Sequence, residues 1–556
     1  MLNKNWDNIL YGLLLIALAV ICAIRMSLFN KGFFTFYDDA YFLLKAKEVG
    51  EGVITGKSQW NFIAVNWFPY WDLSSVELSR MAGYILVLAA AINAAIASAI
   101  AFGNKGILKY LAICVLVLLP EAGQITYVTL QSFLLCTSIS AFLVYWKSEN
   151  RWLRFGMLLI AGFMAGLSLF VIMPGGLLTL ACYAVLVLVL NRGKIRRGIA
   201  ELGVGLGGVV LCLAYMHFCI CPLDKVVEAM RFTASYFTKT GYHYDPFSFA
   251  IAIGLFLRDC IFIFVFYIGV YYLSRRTQPE RFAWIGGALY LLLVFVYIHY
   301  QKKPVISSAM FFSSVVILPL LFERNMMGKG WEALISKDSI VRAFLFCFPL
   351  IAAMGTNTAL SSRISCFLVA WAFLWFDRKM DTKWYVTLAA ILIMLLPLAK
   401  GTYDSLKDKE NCVYFTRGNK HFAEIAITEK QKDYFDRVYD LVTEYGFRPD
   451  SSVVFTAMFD YATVYAFDAK LSSNFHQTNN FLYWDASSML RPDFIILSGW
   501  DEIVIGDKLK TVDWGWPEEF DAYDMGTPES TVLTSSDIEQ RTVYCRKSLK
   551  YCTAVN

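Results

Sequence analysis

"ILYGLLLIALAVICAIRMSLFNKGFFTFYDDAYFLLKAKEV", residues Ile9–Val49, decides how the rest of the chain is read. Its first part, Ile9–Met26, is apolar over about the 20 residues that a helix needs to cross a bilayer. It resembles the core of a signal peptide. However, Arg25-Met26-Ser27-Leu28 offers no small-residue cleavage site, so the segment is expected to stay as a first helix. Directly after it two adjacent carboxylates, Asp38 and Asp39, stand among aromatics. Asp is a good helix N-cap, and its charge suits the positive end of the helix that "AYFLLKAKEV" would form. A carboxylate beside aromatics and lipid is also partly desolvated, which makes it a stronger base than in water. The two roles are compatible, since one Asp can cap while the other projects.

Outward from this stretch the pattern repeats. Of 556 residues, 57% are hydrophobic and only 17% charged, against about 25% charged in soluble domains. The apolar residues fall into about thirteen runs, near 9–29, 79–102, 107–121, 126–146, 155–173, 176–190, 200–220, 248–272, 282–299, 307–322, 339–355, 360–376 and 383–400. The fold class expected is a polytopic α-helical membrane protein with a C-terminal soluble α/β domain. The division is residues 1–400 for the membrane part, including a first outside loop 30–78, and 401–556 for the soluble part. Strand-like runs "SVVFTA" (452–457), "DFIILSG" (493–499) and "TVYCRK" (542–547) interleave there with helix-like stretches such as 428–446. Lys and Arg collect in alternate loops: Lys105/Lys109, Lys147/Arg151/Arg154, Arg192/Lys194/Arg196/Arg197, Arg275/Arg276/Arg281, Arg324/Lys329 and Arg378/Lys379/Lys384. That side is read as cytoplasmic, which puts the N-terminus inside and, after an odd number of spans, the C-terminal domain outside.

The spans carry few charges at their centres, so a transporter lined by polar residues is disfavoured. Arg258 and Asp259 are an exception, read as interhelical packing. Nothing suggests nucleic acid: no basic face, zinc spacing or RNA-binding signature is present. Five scattered histidines lack metal-ligand spacing, and no phosphate-binding P-loop or nucleophile elbow occurs. Most of the 13 cysteines sit in apolar segments as small buried hydrophobes. Cys545 and Cys552 could pair if their domain lies outside the cytoplasm, a point left open.

Polar and aromatic residues accumulate in the loops away from the basic side. "RFTASYFTKTGYHY" (231–244) brings Arg231, Lys239, Tyr242 and His243; "HYQKKP" (299–304) brings Lys302 and Lys303; "GTNTALSSR" (355–363) brings Asn357, Ser361 and Arg363. Lys302, Lys303 and Arg363 run against the charge bias of that side, which argues against a mere topology signal, and anchoring to lipid headgroups stays open for the lysines. They are candidates to bind an anion at the membrane surface. "LPEAGQ" (119–124) holds Glu121, and "WNFIAVNWFPYWD" (60–72) reads as an interfacial aromatic belt or a sugar-stacking surface.

A first hydrophobic helix, an acidic pair in the first outside loop and then a short helix, here "FYDDAYFLLKAKE" (36–48), resemble the GT-C membrane glycosyltransferases. These include the protein O-mannosyltransferases, the lipid A aminoarabinose transferase and the bacterial O-antigen glucosyltransferases. The resemblance implies a donor sugar on a polyprenyl phosphate such as undecaprenyl phosphate, and a hydroxyl acceptor on a glycan, glycolipid or protein. It places the work at the outer face of the cytoplasmic membrane, in the cell envelope. It also implies that Asp38 or Asp39 deprotonates the acceptor, with Asp38 slightly favoured. The departing phosphate would be met by Arg231, Lys239, Tyr242, His243, Lys302, Lys303 and Arg363, while Glu121, Asn357 and Ser361 would orient sugar or acceptor. Glu121 stands alone without a D-x-D pattern, so no metal or other cofactor is expected. A ligase or polymerase using pyrophosphate-linked donors, or a lipid or glycan transporter, is the alternative.

Overall fold

The computed structural model describes residues 2–30, 38–52, 59–228, 230–231, 251, 254, 336–355, 363–377, 384–456, 460–472, 490–526 and 540–553. They form two compact units, one from the described residues of 1–24, 83–218 and 244–403, the other from those of 25–82, 219–243 and 404–556.

The first unit is helical. The helices are α1 (Leu2–Met26), α4 (Val76–Phe102), α5 (Ile107–Leu118), α6 (Tyr127–Lys147), α7 (Arg151–Ser168), α8 (Met173–Leu190), α9 (Ile195–Tyr215), α10 (Lys337–Ala352), α11 (Val369–Phe376) and α12 (Trp384–Lys409). Among the described residues five stretches are long and apolar enough to cross a membrane: Asn8–Met26, Val76–Phe102, Tyr127–Lys147, Met173–Leu190 and Ile195–Ile220. The chain is a multi-pass membrane protein. The expected spans at 107–121 and 360–376 are shorter than a bilayer. α5 has 12 residues and ends in a 3-10 turn at Leu119–Glu121 that contains Pro120, whose ring cannot continue the ladder. α11 has eight, after a 3-10 turn at Ser365–Phe367. At about 1.5 Å per residue neither reaches across about 30 Å by itself. The expected spans at 248–272, 282–299 and 307–322, with Arg258 and Asp259, lie outside the described residues apart from Ile251 and Gly254.

Small residues let α7 and α9 touch backbone to backbone. A Cβ at Gly162 would sit 2.3 Å from the Gly205 carbonyl, and one at Gly208 would sit 2.2 Å from that of Leu159. Lipid gives helices no hydrophobic reason to associate, so close approach of this kind supplies the dispersion energy. The described basic loops gather at one end of the unit. Lys147 and Arg342 both reach Asp377, at 2.5 and 2.7 Å, and Lys109 lies over the ring of Phe376. Glu201, on α9, accepts from Arg154, Arg197, Asn191 and the Tyr145 hydroxyl.

The second unit is built on a five-stranded sheet in the order β4-β3-β5-β7-β6, with β3 Val453–Thr456, β4 Lys470–Leu471, β5 Phe494–Ser498, β6 Phe520–Gly526 and β7 Arg541–Arg546. β4, β3 and β5 are parallel; β7 runs against them, and β6, antiparallel to β7, runs in their direction again. A small antiparallel ribbon, β1 Val413–Tyr414 and β2 Ala426–Ile427, stands apart. The period of two along a strand sends alternate side chains to opposite faces. Val454, Phe494, Ile496, Val543 and Cys545 join one core, with helices α13 (Glu429–Glu444) and α14 (Tyr461–Phe467). Phe455, Ile495, Leu497 and Tyr544 join the other, with α15 (Gly499–Leu509). A last helix, α16 (Lys547–Thr553), follows β7. Cys545 is a free thiol inside the sheet, and burial pushes it up to about 12.

Two helices of the first loop belong to this unit: α2 (Asp38–Gly50) and α3 (Gln59–Trp67). Ala40, Tyr41, Leu43 and Leu44 of α2 are part of the α13/α14 core. The compact unit that carries the sheet therefore includes residues that a division at 400/401 assigns to the membrane part.

Candidate functional site

The acidic pair opens a helix. α2 begins at Asp38, so Asp38 and Asp39 occupy its first turn, where the exposed N–H groups and the helix dipole favour negative charge. The side chains of the pair lie outside the described residues, but the scaffold behind them is well defined. Tyr41 packs on Tyr461 with ring centroids 5.3 Å apart, and Phe42 meets Trp60 of α3 edge-on at 5.4 Å. Lys45 is buried and held 2.6 Å from Glu48. Burial lowers the Lys45 amine and raises the Glu48 carboxyl, each towards its neutral form. Lys47 reaches Asp468 at 2.7 Å and Asp450 at 2.9 Å. Burial works against its charge, yet the two carboxylates outweigh it and the amine is raised.

The aromatic run 60–72 divides. Trp60 and Phe62 are buried, whereas Tyr70 is 96% exposed, as an interfacial residue would be. Asn61, between the two buried rings, is 1% exposed, and neither its amide oxygen nor its nitrogen has a hydrogen-bond partner. A buried amide in that condition is costly. It is a polar group held ready next to the helix that carries the acidic pair. Further along, Asp72 accepts from the backbone and hydroxyl of Ser74 and lies 2.8 Å from His421. Burial alone would raise Asp72; the bonds from Ser74 and the proximity of His421 bring it below its usual range.

In the helical unit the described residues flanking the loops at 119–127, 174–176 and 355–363 lie at the end away from the basic cluster. Arg363 donates to the Tyr127 hydroxyl at 3.1 Å and lies over that ring. Gln131 donates to the Ala352 carbonyl. A Cβ at Gly175 would strike that same carbonyl at 2.7 Å, and one at Gly355 would strike Pro174. Gln131, Pro174, Gly175, Ala352 and Gly355 thus lie close together, and the Arg363 guanidinium rests against Tyr127. Glu121 closes the 3-10 turn of the first of these loops, with its side chain outside the described residues. Arg231 is helical and exposed. Lys239, Tyr242, His243, Lys302, Lys303, Asn357 and Ser361 lie outside the described residues.

Among solved structures the chain is similar to ArnT from Cupriavidus metallidurans bound to undecaprenyl phosphate. The alignment covers 96% of this chain and 98% of that chain, at 10% identity and a TM-score of 0.41. A likeness this loose carries no argument about activity. No family model matches the chain, and no curated protein does.

Among the described residues no three His, Cys, Asp or Glu side chains come together as metal ligands. The chemistry open to the described groups here is hydrogen bonding or charge at Arg363. Sequence reading missed Asn61.

Proposed function

We propose that the chain is an inverting glycosyltransferase of the GT-C type. It moves a monosaccharide from a polyprenyl phosphate to a hydroxyl of a glycan, glycolipid or protein at the outer face of the cytoplasmic membrane. The observation that carries this reading is the placement of Asp38 and Asp39 in the first turn of a helix buried along one side, directly after the first apolar helix. A general base must be held in fixed geometry to be effective, and a packed helix gives its first turn such a backbone position.

In the reaction Asp38 or Asp39 takes the proton of the acceptor hydroxyl. The acceptor oxygen attacks the anomeric carbon, and the carbon–oxygen bond to the phosphate breaks. Polyprenyl phosphate leaves with that electron pair. The developing phosphate charge calls for cations and hydrogen-bond donors, the role proposed for Arg363, with Arg231, Lys239, Tyr242, His243, Lys302 and Lys303. Glu121, Asn357 and Ser361 are proposed to orient donor or acceptor. A phosphate monoester leaving group surrounded by cations needs no metal, so none is included in the scheme. The N-terminus is proposed to be cytoplasmic and the sheet-bearing unit extracytoplasmic.

The test compares wild type with Asp38→Asn and Asp39→Asn, purified in detergent and supplied with radiolabelled polyprenyl-phosphate sugars. Loss of label from the lipid, abolished by one substitution in a folded protein, supports the reading and identifies the base. Equal consumption by all three proteins refutes it, leaving the pair as a helix cap. Movement of intact donor across a bilayer would instead favour a transporter.

A further inference from the structure

α7 and α9 run parallel. A Cβ at Gly162 would meet Gly205, and one at Gly166, four residues further on, would meet Val209 and Cys212. Both helices therefore start at the same end of the helical unit, where α8 finishes. Glu201 fastens the three ends together: it accepts from Arg154 of α7, from Asn191 at the end of α8 and from Arg197 of α9. Met173–Leu190 and Ile195–Ile220 are each long and apolar enough to cross a membrane, so the turn between them, 191–194, stands at a bilayer surface. Gly193, at φ +90°, allows the turn to be tight. Lys337 of α10 braces it by donating to the carbonyls of Leu190 and Arg192.

This end carries more positive charge than the fold consumes. Glu201 engages Arg154 and Arg197, and Asp377 engages Lys147 and Arg342. Arg192, Lys194 and Arg196 are exposed and pair with no carboxylate among the described residues. Arg151, one turn before Arg154, is exposed as well and lies over the ring of Phe155. Against these cations the same surface offers the exposed carboxylate of Glu149. Apolar side chains stand open directly beside the charges. Trp152 is 80% exposed and Ile195 73%. Ile195, Ile199, Leu206 and Val210, all exposed, share one face of α9 at 3.6 residues per turn. An apolar track thus runs from the basic turn down the span.

We propose that this end of the helical unit binds an anionic phospholipid, with its phosphate among Arg151, Arg192, Lys194 and Arg196 and its acyl chains along Ile195, Ile199, Leu206 and Val210. The excess of cations selects an anion, and guanidinium groups match phosphate oxygens in geometry as well as charge. The track continuous with them selects an anion that carries chains, which a soluble phosphate lacks. Trp152 has the amphipathic ring that favours the headgroup level. Positive charge that only orients the chain during insertion would leave no saturable, headgroup-specific complex in the folded protein; a lipid site requires one. The inference rests on the membrane spans and is independent of the transferase reading.

The test is native mass spectrometry of the full chain, stripped of lipid in an uncharged detergent and titrated with phosphatidylglycerol, phosphatidylcholine or glycerol phosphate. The first phosphatidylglycerol should bind at least about tenfold more tightly than phosphatidylcholine, and glycerol phosphate should not bind at the same concentration. Arg192→Gln, Lys194→Gln and Arg196→Gln together should weaken phosphatidylglycerol at least about tenfold and leave phosphatidylcholine unchanged. Arg196→Gln alone keeps the other basic loops to orient the chain in the membrane, and should weaken it about fivefold. Lys420→Gln, Lys470→Gln and Lys510→Gln together remove the same charge from exposed positions of the sheet-bearing unit and should change nothing. Equal binding of the two phospholipids overturns the proposal, as does a phosphatidylglycerol preference that survives the combined arginine and lysine variant. An equal loss in the sheet-bearing control would reduce the effect to net charge and overturn it too. Glycerol phosphate bound as tightly as phosphatidylglycerol would make this a site for a soluble anion, and the lipid assignment would fall.

Discussion

Asp501→Asn should change how the stability of the sheet-bearing unit depends on pH. The Asp501 carboxyl is pushed from an ordinary 3.8 up to about 6, first by burial, against the pull of Ser498 and Arg541 and with help from Asp460. A carboxyl raised in the folded state binds its proton more tightly there than in the unfolded chain. Its contribution to stability is therefore present below about pH 4 and is lost as pH rises through about 6. At about 1.4 kcal/mol per pH unit, ionising the buried group costs the fold roughly 2 to 3 kcal/mol between pH 4 and 7. Other carboxylates work in the opposite sense over that window; Asp72 and Asp450 are lowered. The informative quantity is thus the difference between variant and wild type. Asparagine resembles the protonated acid and does not titrate. Amide hydrogen exchange of a peptide covering Phe494–Ser498 reads the opening of β5 directly. The protection of the variant relative to wild type should rise by roughly thirtyfold to a hundredfold from pH 4 to 7, after correction for intrinsic exchange. A ratio that stays constant over this range would refute the reasoning, because Asp501 would then titrate alike in the folded and unfolded chain.

Two further outcomes are expected. Lys45→Met should destabilise the second unit by about 3 kcal/mol or more, because it leaves Glu48 buried without its partner, whereas Lys45→Met with Glu48→Leu should recover most of the loss; thermal unfolding of the single and double variants checks this. Asn61→Leu should leave the unfolding temperature unchanged or higher, since it removes an amide with no partner, yet should lower sugar transfer at least about tenfold if that amide meets the substrate.

Part of the architecture can be read from the chain alone, and the reason lies in local pattern. β3 and β5 fall inside the runs 452–457 and 493–499, and β7 overlaps the run 542–547 from one residue earlier, because β-branched and aromatic residues bounded by turn formers specify strands. The described basic loops come together at one end of the helical unit, as their alternation along the chain indicates. Length-counting failed where an apolar run is broken: Pro120 ends the run at 107–121, and the run at 360–376 contains a 3-10 turn. The orphaned groups were invisible for another reason. Thr456, Asn61 and Asp501 look like ordinary polar residues in sequence, and only the absence of a partner marks them. That absence is a property of the packed state. The join of the first loop to the sheet is equally non-local, since no pattern in 40–44 names Tyr461 as its neighbour.

That join bears on how the acidic pair is held. Two kinds of contact fasten α2 to its unit: the Lys47 ion pairs and the buried side chains Ala40, Tyr41, Leu43 and Leu44. The ion pairs are partly exposed, with 30% of the Lys47 side chain and 70% of that of Asp450 open to solvent, so each is worth about 1 kcal/mol or less. Truncating one buried leucine costs about 2 to 5 kcal/mol and leaves a cavity the core closes only in part. Packing rather than charge therefore sets the position of the first turn. Leu44→Ala, two turns from Asp38, should lower kcat for transfer more than it raises KM, because the base moves relative to the acceptor while distant binding contacts stay intact. Lys47→Met should leave both nearly unchanged. The reverse order, with Lys47→Met the more damaging, would mean that the ion pairs to Asp450 and Asp468 orient the helix and that the core merely tolerates it.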